Sequence, residues 1–459
     1  MQPSTKRGPF ARLLAALLLI ASLGCETVHR ARVAQDFASA GPGERTPTAA
    51  ELGLPTEGPL ALDVALKKAL EVHPSIIAAR QNVVAAEARV RETEASLLPQ
   101  LSTSAAASYR DGRAFSSSAG AVDHRFYSYG FDVSWLLFDF GRTRAQARNL
   151  AELWLAAQAD LKTAELDVAL NVRTAYFDLS RQIELLAVAQ QTVRQFEAHL
   201  EQVHGFVEVG TRIPYDETKA QVDLGNARLL EVKARDAMLA AKSTLAGTLG
   251  LAEVVDWTPA PDAPLPDVPE DFDAAWALAQ TMQPTLAAAR ARELAASALI
   301  DARIASLYPS LDLSASYSAG GSTWPLAWSW LIGPAIQWVP FDGFQRLATI
   351  DEAVASLRIA RSARAQIEQT TWLDVRRAWL AIRDARERID LTALTEQNAV
   401  QNLELAKGLF EVGKGTSIEL ADAEQALTQA SAERVQARAD EQTAVAQLAR
   451  AIGIAIEGE

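Results

Sequence analysis

The sequence holds one cysteine, Cys25, in 459 residues. It can form no internal disulfide, and a zinc cluster built on cysteines is excluded. Methionine is nearly as scarce, with three residues, which argues against a methionine-lined path for soft metal ions. The five histidines, His29, His73, His124, His199 and His204, have no cysteine partners. His199 and His204 are five positions apart, not the four that a two-histidine zinc face requires. Neither a Walker loop nor a GxSxG elbow occurs. Basic charge is in deficit: 44 Lys and Arg face 57 Asp and Glu, a net charge of -13. No basic patch is visible, so a nucleic-acid partner is excluded. Beyond the N-terminus no apolar run reaches the roughly 20 residues of a membrane helix. A body that crosses a membrane must therefore do so as strands. The chain reads as a non-enzyme with no cofactor and no metal.

The N-terminus is an address. Lys6, Arg7 and Arg12 precede a short apolar run, Leu13 to Leu23. That pattern marks residues 1–24 as a secretory signal peptide. Ser22-Leu23-Gly24-Cys25 resembles a bacterial lipobox, with serine where leucine is usual. The resemblance makes Cys25 the lipidated, palmitate-bearing first residue of the mature chain. Position 26 is Glu, not the Asp that retains such proteins at the inner membrane. The expected address is the lipid of the outer membrane, with residues 25–58 as a polar tail.

What is present in abundance is alanine, leucine and repetition. His73-Pro74 recurs as Gln283-Pro284, and Leu97-Leu98-Pro99 as Leu307-Tyr308-Pro309, both offset by 210 positions. Phe138-Asp139 recurs as Phe341-Asp342, Val209-Gly210 as Val412-Gly413, and Leu249-Gly250 as Ile452-Gly453, each offset by 203. The chain is therefore a tandem repeat. The first copy is expected over 59–255 and the second over 271–454. Residues 256–270 read as a linker, because Pro259, Pro261, Pro264, Pro266 and Pro269 preclude helix there.

Each copy has one order of elements. A helical pattern interrupted near residue 73 ends at Pro99, two strand-like runs follow, and then Arg142 to Val207 continues almost without a breaker. At about 1.5 Å per residue that is a rod of roughly 100 Å, too long for a globular domain and suited to coiled packing. A return helix is expected from Pro214 to Gly250. The second copy predicts a rod from Gln345 to Val412 and a return helix from Ser417 to Ile452.

In the strand-like runs the period drops to two. Tyr127, Tyr129, Phe131, Val133, Trp135 and Leu137 fall on one face, and Ser128, Gly130, Asp132 and Ser134 on the other. Leu311, Leu313, Ala315 and Tyr317 alternate likewise with Asp312, Ser314, Ser316 and Ser318. Such alternation over about ten residues is the pattern of a transmembrane barrel strand, and Trp324, Trp328, Trp330 and Trp338 suit an aromatic girdle. Four strands cannot close a barrel, since small ones need about eight. An open edge cannot face lipid, so other copies must complete the wall.

Helix, strand pair, rod, Val-Gly turn and return helix, given twice, resemble the TolC-type outer-membrane efflux family from about residue 60 to 453. The resemblance implies a mainly α fold with a small β part. A long tandem-repeat helical barrel would stand under a twelve-stranded transmembrane β-barrel made by a homotrimer. It implies a passive duct for substrates delivered by an inner-membrane pump through a periplasmic adaptor (membrane fusion) protein. By matching, Val209, Gly210, Thr211 and Arg212, with Val412 and Gly413, form the adaptor-docking turns. Glu419 and Asp422 would narrow the periplasmic aperture, where the first copy has Asp216 and Lys219. A type I protein-secretion duct and a lipid-anchored structural coiled-coil envelope protein are the alternative readings.

Overall fold

The computed structural model describes residues 47–109, 125–260 and 263–454. Cys25 and the signal peptide lie outside them. In chain order the elements are β1 (Glu57–Leu60), α1 (Leu62–Val72), α2 (Pro74–Ala95), β2 (Gln100–Tyr109), β3 (Arg125–Phe138), α3 (Arg142–Glu208) and α4 (Pro214–Thr248). The second copy follows as β4 (Asp256–Pro259), α5 (Phe272–Met282), α6 (Pro284–Ala305), β5 (Ser310–Gly321), β6 (Ala327–Gln337), α7 (Gln345–Glu411) and α8 (Ser417–Ile452).

The two rods, α3 and α7, have 67 residues each, about 100 Å of helix. Neither contains proline. Each carries a single glycine, Gly205 or Gly408, three positions before its end. Both start at the repeated Phe-Asp pair, for a physical reason. The carboxylate of Asp139 accepts the backbone N–H of Thr143 at 2.7 Å, and Asp342 accepts that of Arg346 at 3.2 Å. Each satisfies an N–H that the first helical turn leaves unpaired.

The rods gain their stability laterally, as helices of this length must. Near the strands, α6 packs on both: Arg292 reaches Asp160 of α3 at 2.5 Å, and Glu293 holds Arg361 and Arg364 of α7 at 3.0 and 2.8 Å. Away from the strands, α4 runs back along α3 and α8 runs back along α7. The copies are joined where α8 lies antiparallel on α3. Arg450 meets Asp167 at 2.8 Å, Thr192 meets Thr428 at 2.9 Å and His199 meets Ser417 at 3.1 Å.

The four long strands form one antiparallel sheet in the order β2-β3-β5-β6. Its register sets Leu101, Val133, Ala315 and Ile332 in one row, and Thr103, Phe131, Tyr317 and Trp330 in the next row on that face. The intervening row, Ser102, Asp132, Ser316 and Leu331, belongs to the other face. The alternation read from sequence is thus continuous across all four strands. One position differs. A bulge between Leu136 and Phe138 pairs Phe138, not Leu137, with Leu311, because an inserted residue reverses the alternation beyond it. Trp135 and Trp338 occupy equivalent places in the two copies. Their indole N–H groups donate to the carbonyls of Leu97 and Leu307 at 3.0 and 3.2 Å, tying the sheet to the helix ends below it.

Two stretches are more ordered than their composition suggests. The end of the polar tail and the start of the proline-rich linker pair with each other: β1 and β4 form a parallel two-stranded sheet, Glu57 opposite Asp256 through Leu60 opposite Pro259. Trp257, 1% exposed, donates to the Pro55 carbonyl at 2.7 Å, and the Tyr176 hydroxyl donates to the Leu60 carbonyl at 2.9 Å. Ala49 and Leu54 are buried in the same core as Val172, Tyr176 and Leu245. Residues 49–60 and 256–260 therefore form a collar packed against α3. Four-residue strands leave no periodicity to read, which is why they escape the sequence.

Candidate functional site

The rods end in tight reversals. Gly210 and Gly413 have φ of 76° and 73°, a left-handed conformation that glycine adopts without strain. Around them the free amide groups fold back. Thr211 N–H and Arg212 N–H both donate to the Phe206 carbonyl, at 2.9 and 3.2 Å. Lys414 N–H and Gly415 N–H donate to Leu409, at 2.9 and 2.8 Å. The residues expected to dock a partner are presented outward: Val209 is 71% exposed and Val412 67%. Arg212 is engaged inside the molecule. Its guanidinium donates to the Gly415 carbonyl at 2.7 Å and stacks over the Phe410 ring at 4.9 Å. It therefore ties the first turn to the second, a contact that the motif alone does not disclose.

Phe410 is the hub of the tip. It is 1% exposed, packs edge-on against Phe206 at 5.7 Å and lies 5.6 Å from the His199 ring. Val203, Ala220, Leu403 and Leu420 close the cluster, so all four long helices contribute.

Glu419 and Asp422 stand at the start of α8. Glu419 forms a capping box. Its carboxylate accepts the Thr416 N–H at 2.8 Å, and the Thr416 hydroxyl accepts the Glu419 N–H at 3.1 Å. These bonds favour the charged form and hold its carboxyl below the usual glutamate range. Asp422 is exposed. In the first copy Lys219 is held by Asp223 at 2.9 Å, so the two copies present different charge at the tip.

Two buried groups beside this acidic pair escape sequence reasoning. His199, 3% exposed, contacts Ser417, and burial lowers its affinity for a proton. Glu424 is 2% exposed, and burial raises its carboxyl to about 7. The signal for Glu424 is a lone acid on a stripe with Ser417, Leu420 and Ala421, spaced as one face of a helix.

Between tips and strands, the four helices bound a hollow of about 600 Å³ whose lining includes Asn171, Asp178, Arg181, Asp384, Arg388 and Asp440. On α3, Asn171 and Asp178 alternate with Val172 and Tyr176, which face the collar core. Ala175 belongs both to the collar core and to the wall of the hollow, where alanines of α7 and α8 lie beside the charged side chains. Arg388 meets Asp440 across it at 2.9 Å. Among the described residues no group of side chains could hold a metal ion, and no helix is long and apolar enough to cross a membrane.

An open-edged sheet with one apolar face, on paired rods given twice, matches a known family. The model of the outer membrane efflux protein family matches residues 65–251 and 277–454, which are the two copies. The chain belongs to this family. It is similar to the outer membrane efflux protein BepC of Brucella suis, 28% identical over 209 residues; that match covers 46% of this chain and 44% of BepC. It is likewise similar to the protein CyaE of Bordetella pertussis, 28% identical over 340 residues, covering 71% of this chain and 70% of CyaE. Among solved structures, the CmeC outer membrane channel of Campylobacter jejuni superposes with a TM-score of 0.77 at 18% identity, covering 85% of each chain. The fold of this outer membrane efflux protein is thus that of the TolC-like channels: a helical tunnel unit carrying a sector of β-barrel.

Proposed function

We propose that three copies of this chain close into a passive duct across the outer membrane and periplasm. The copies would join strands into a twelve-stranded barrel and rods into a tunnel. The observation that carries the reading is the sheet. Among the described residues, strands β2 and β6 each have a free edge, and the face bearing Trp328 and Trp330, both well exposed, is apolar. Lipid tolerates neither an unpaired strand edge nor an open sheet. Closure by further copies satisfies both edges at once, and three copies fit the family architecture. Energy and cargo selection would belong to an inner-membrane pump, joined through a periplasmic adaptor at Val209, Gly210, Thr211, Val412 and Gly413. Arg212 would support that surface by holding the two turns together. Cys25 would carry the lipid anchor: palmitate label should appear on the mature chain, and an unlabelled chain would remove the anchor.

Glu419 and Asp422 would set six carboxylates around the aperture of a trimer, a field that attracts cations. The double variant Glu419→Gln and Asp422→Asn should weaken block of the single-channel current by divalent cations. Unchanged block would take both residues out of the aperture. Because Glu419 also caps α8, Asp422→Asn alone separates charge from helix stability, and it should weaken block without loosening the tip.

A further inference from the structure

The seam between α8 and α3 holds two ionisable groups that the duct does not require. Glu424 has a buried carboxylate oxygen, Oε2, with no hydrogen-bond partner, and His199 has an equally bare Nδ1. Ser417 and Glu424 lie two turns apart on one face of α8, with Leu420 and Ala421 between them, and all four are buried. That face meets Phe196, His199 and Val203 of α3. A neutral carboxyl group is tolerated in such a seam. A carboxylate with an unmet oxygen is strongly disfavoured.

We propose that Glu424 is a proton-sensitive clasp, whose acid form seats the first turns of α8 on α3 and whose ionised form loosens the tip.

The groups facing it set the balance. Lys407 of α7 favours ionisation of Glu424, and Asp223 of α4 opposes it. Burial outweighs both and raises the carboxyl to about 7. The folded value lies above that of an exposed glutamate. The seated form is therefore favoured below neutrality, and its advantage is lost as pH rises through about 7. His199 acts with the opposite sign. Its surroundings are Asp223, Lys219 and Asp216 of α4, and burial dominates, lowering its proton affinity. Protonation of His199 opposes seating as pH falls below the ordinary imidazole range. The two groups therefore oppose each other on the acid side of neutral, and above it the change in the seam belongs to Glu424 alone. Glu419, held below the usual glutamate range, contributes nothing to a change near neutrality.

The clasp concerns the seam alone, so its test does not depend on conduction. Hydrogen exchange of the amides of residues 417–428 is followed by mass spectrometry in the intact, detergent-solubilised protein. It is measured at about pH 6.5 and about pH 8.5, after correction for the intrinsic rate. The open population in the wild type should rise about fourfold, the change a single group titrating near 7 produces over that interval. Glu424→Gln, close in shape and uncharged, should abolish the rise while exchange along residues 345–400 stays as in the wild type. His199→Gln should leave the rise intact. A wild-type ratio that does not change, or a full rise in Glu424→Gln, overturns the proposal. Loss of the rise in His199→Gln assigns the effect to the histidine and overturns it equally.

Discussion

Replacing Phe410 by alanine should loosen the packing of the tip while leaving the rods folded. The ring is fully buried and is shared by His199, Phe206 and Arg212. Its removal leaves a cavity where the four helices converge, and truncations of this kind cost about 3–5 kcal/mol. The loss is local. The collar core around Tyr176 and Trp257 lies far up α3 and shares no residue with the tip cluster. Arg212 would lose the ring beneath its guanidinium and keep its bond to Gly415. The expected result is rapid proteolysis and hydrogen exchange confined to residues 196–228 and 403–428. Phe410→Leu should show a weaker effect of the same kind, since a branched apolar side chain still fills part of the site. Uniform loss of protection along both rods would show that the tip is not an independent unit.

The second large effect concerns the sheet. Ala315→Arg should abolish assembly in the outer membrane, and Ser316→Arg should not. Ala315 shares its row with Leu101, Val133 and Ile332, and Ser316 shares the next with Ser102 and Asp132. Adjacent residues on a strand point to opposite faces. An arginine on the lipid face near the midplane costs roughly 2–4 kcal/mol per copy, and a trimer would bear it three times. On the lumen side the same charge meets water. Heat-stable trimer in outer-membrane fractions is the readout. If Ser316→Arg were the damaging change, the polar face would be the one turned to lipid.

Much of this architecture is written in the sequence. A 67-residue run with no proline and one late glycine has few options other than a rod. Period-two alternation survives in register across four strands because one face must be apolar throughout. The repeated short motifs are also explained by contacts. Phe-Asp pairs begin the rods, and Val-Gly pairs reverse them. Gly453, with φ of 88°, sits so close to Met282 and Gln283 that a β-carbon would lie 2.8 Å from the Met282 carbonyl, and Gly250 packs likewise on His73 and Pro74, so the glycine of one repeated motif is the packing partner of the other. What the sequence conceals depends on distant partners. The collar pairs residues about 200 positions apart in four-residue strands, below the length at which periodicity registers. The hold of Arg212 on Gly415 arises only where the two turns meet, and the burial of Glu424 and the seat of His199 against Ser417 only where α8 meets α3. The bulge at Leu137 is invisible for a simpler reason, since leucine and phenylalanine on either side of it are both apolar.

On this reading the tandem repeat forms one third of a closed, water-filled duct. Single-channel recording tests it most directly. Purified, folded protein reconstituted in a planar bilayer should give discrete, reproducible current steps that divalent cations block from the periplasmic side. Protein that inserts with its full strand content and passes no current would contradict the duct.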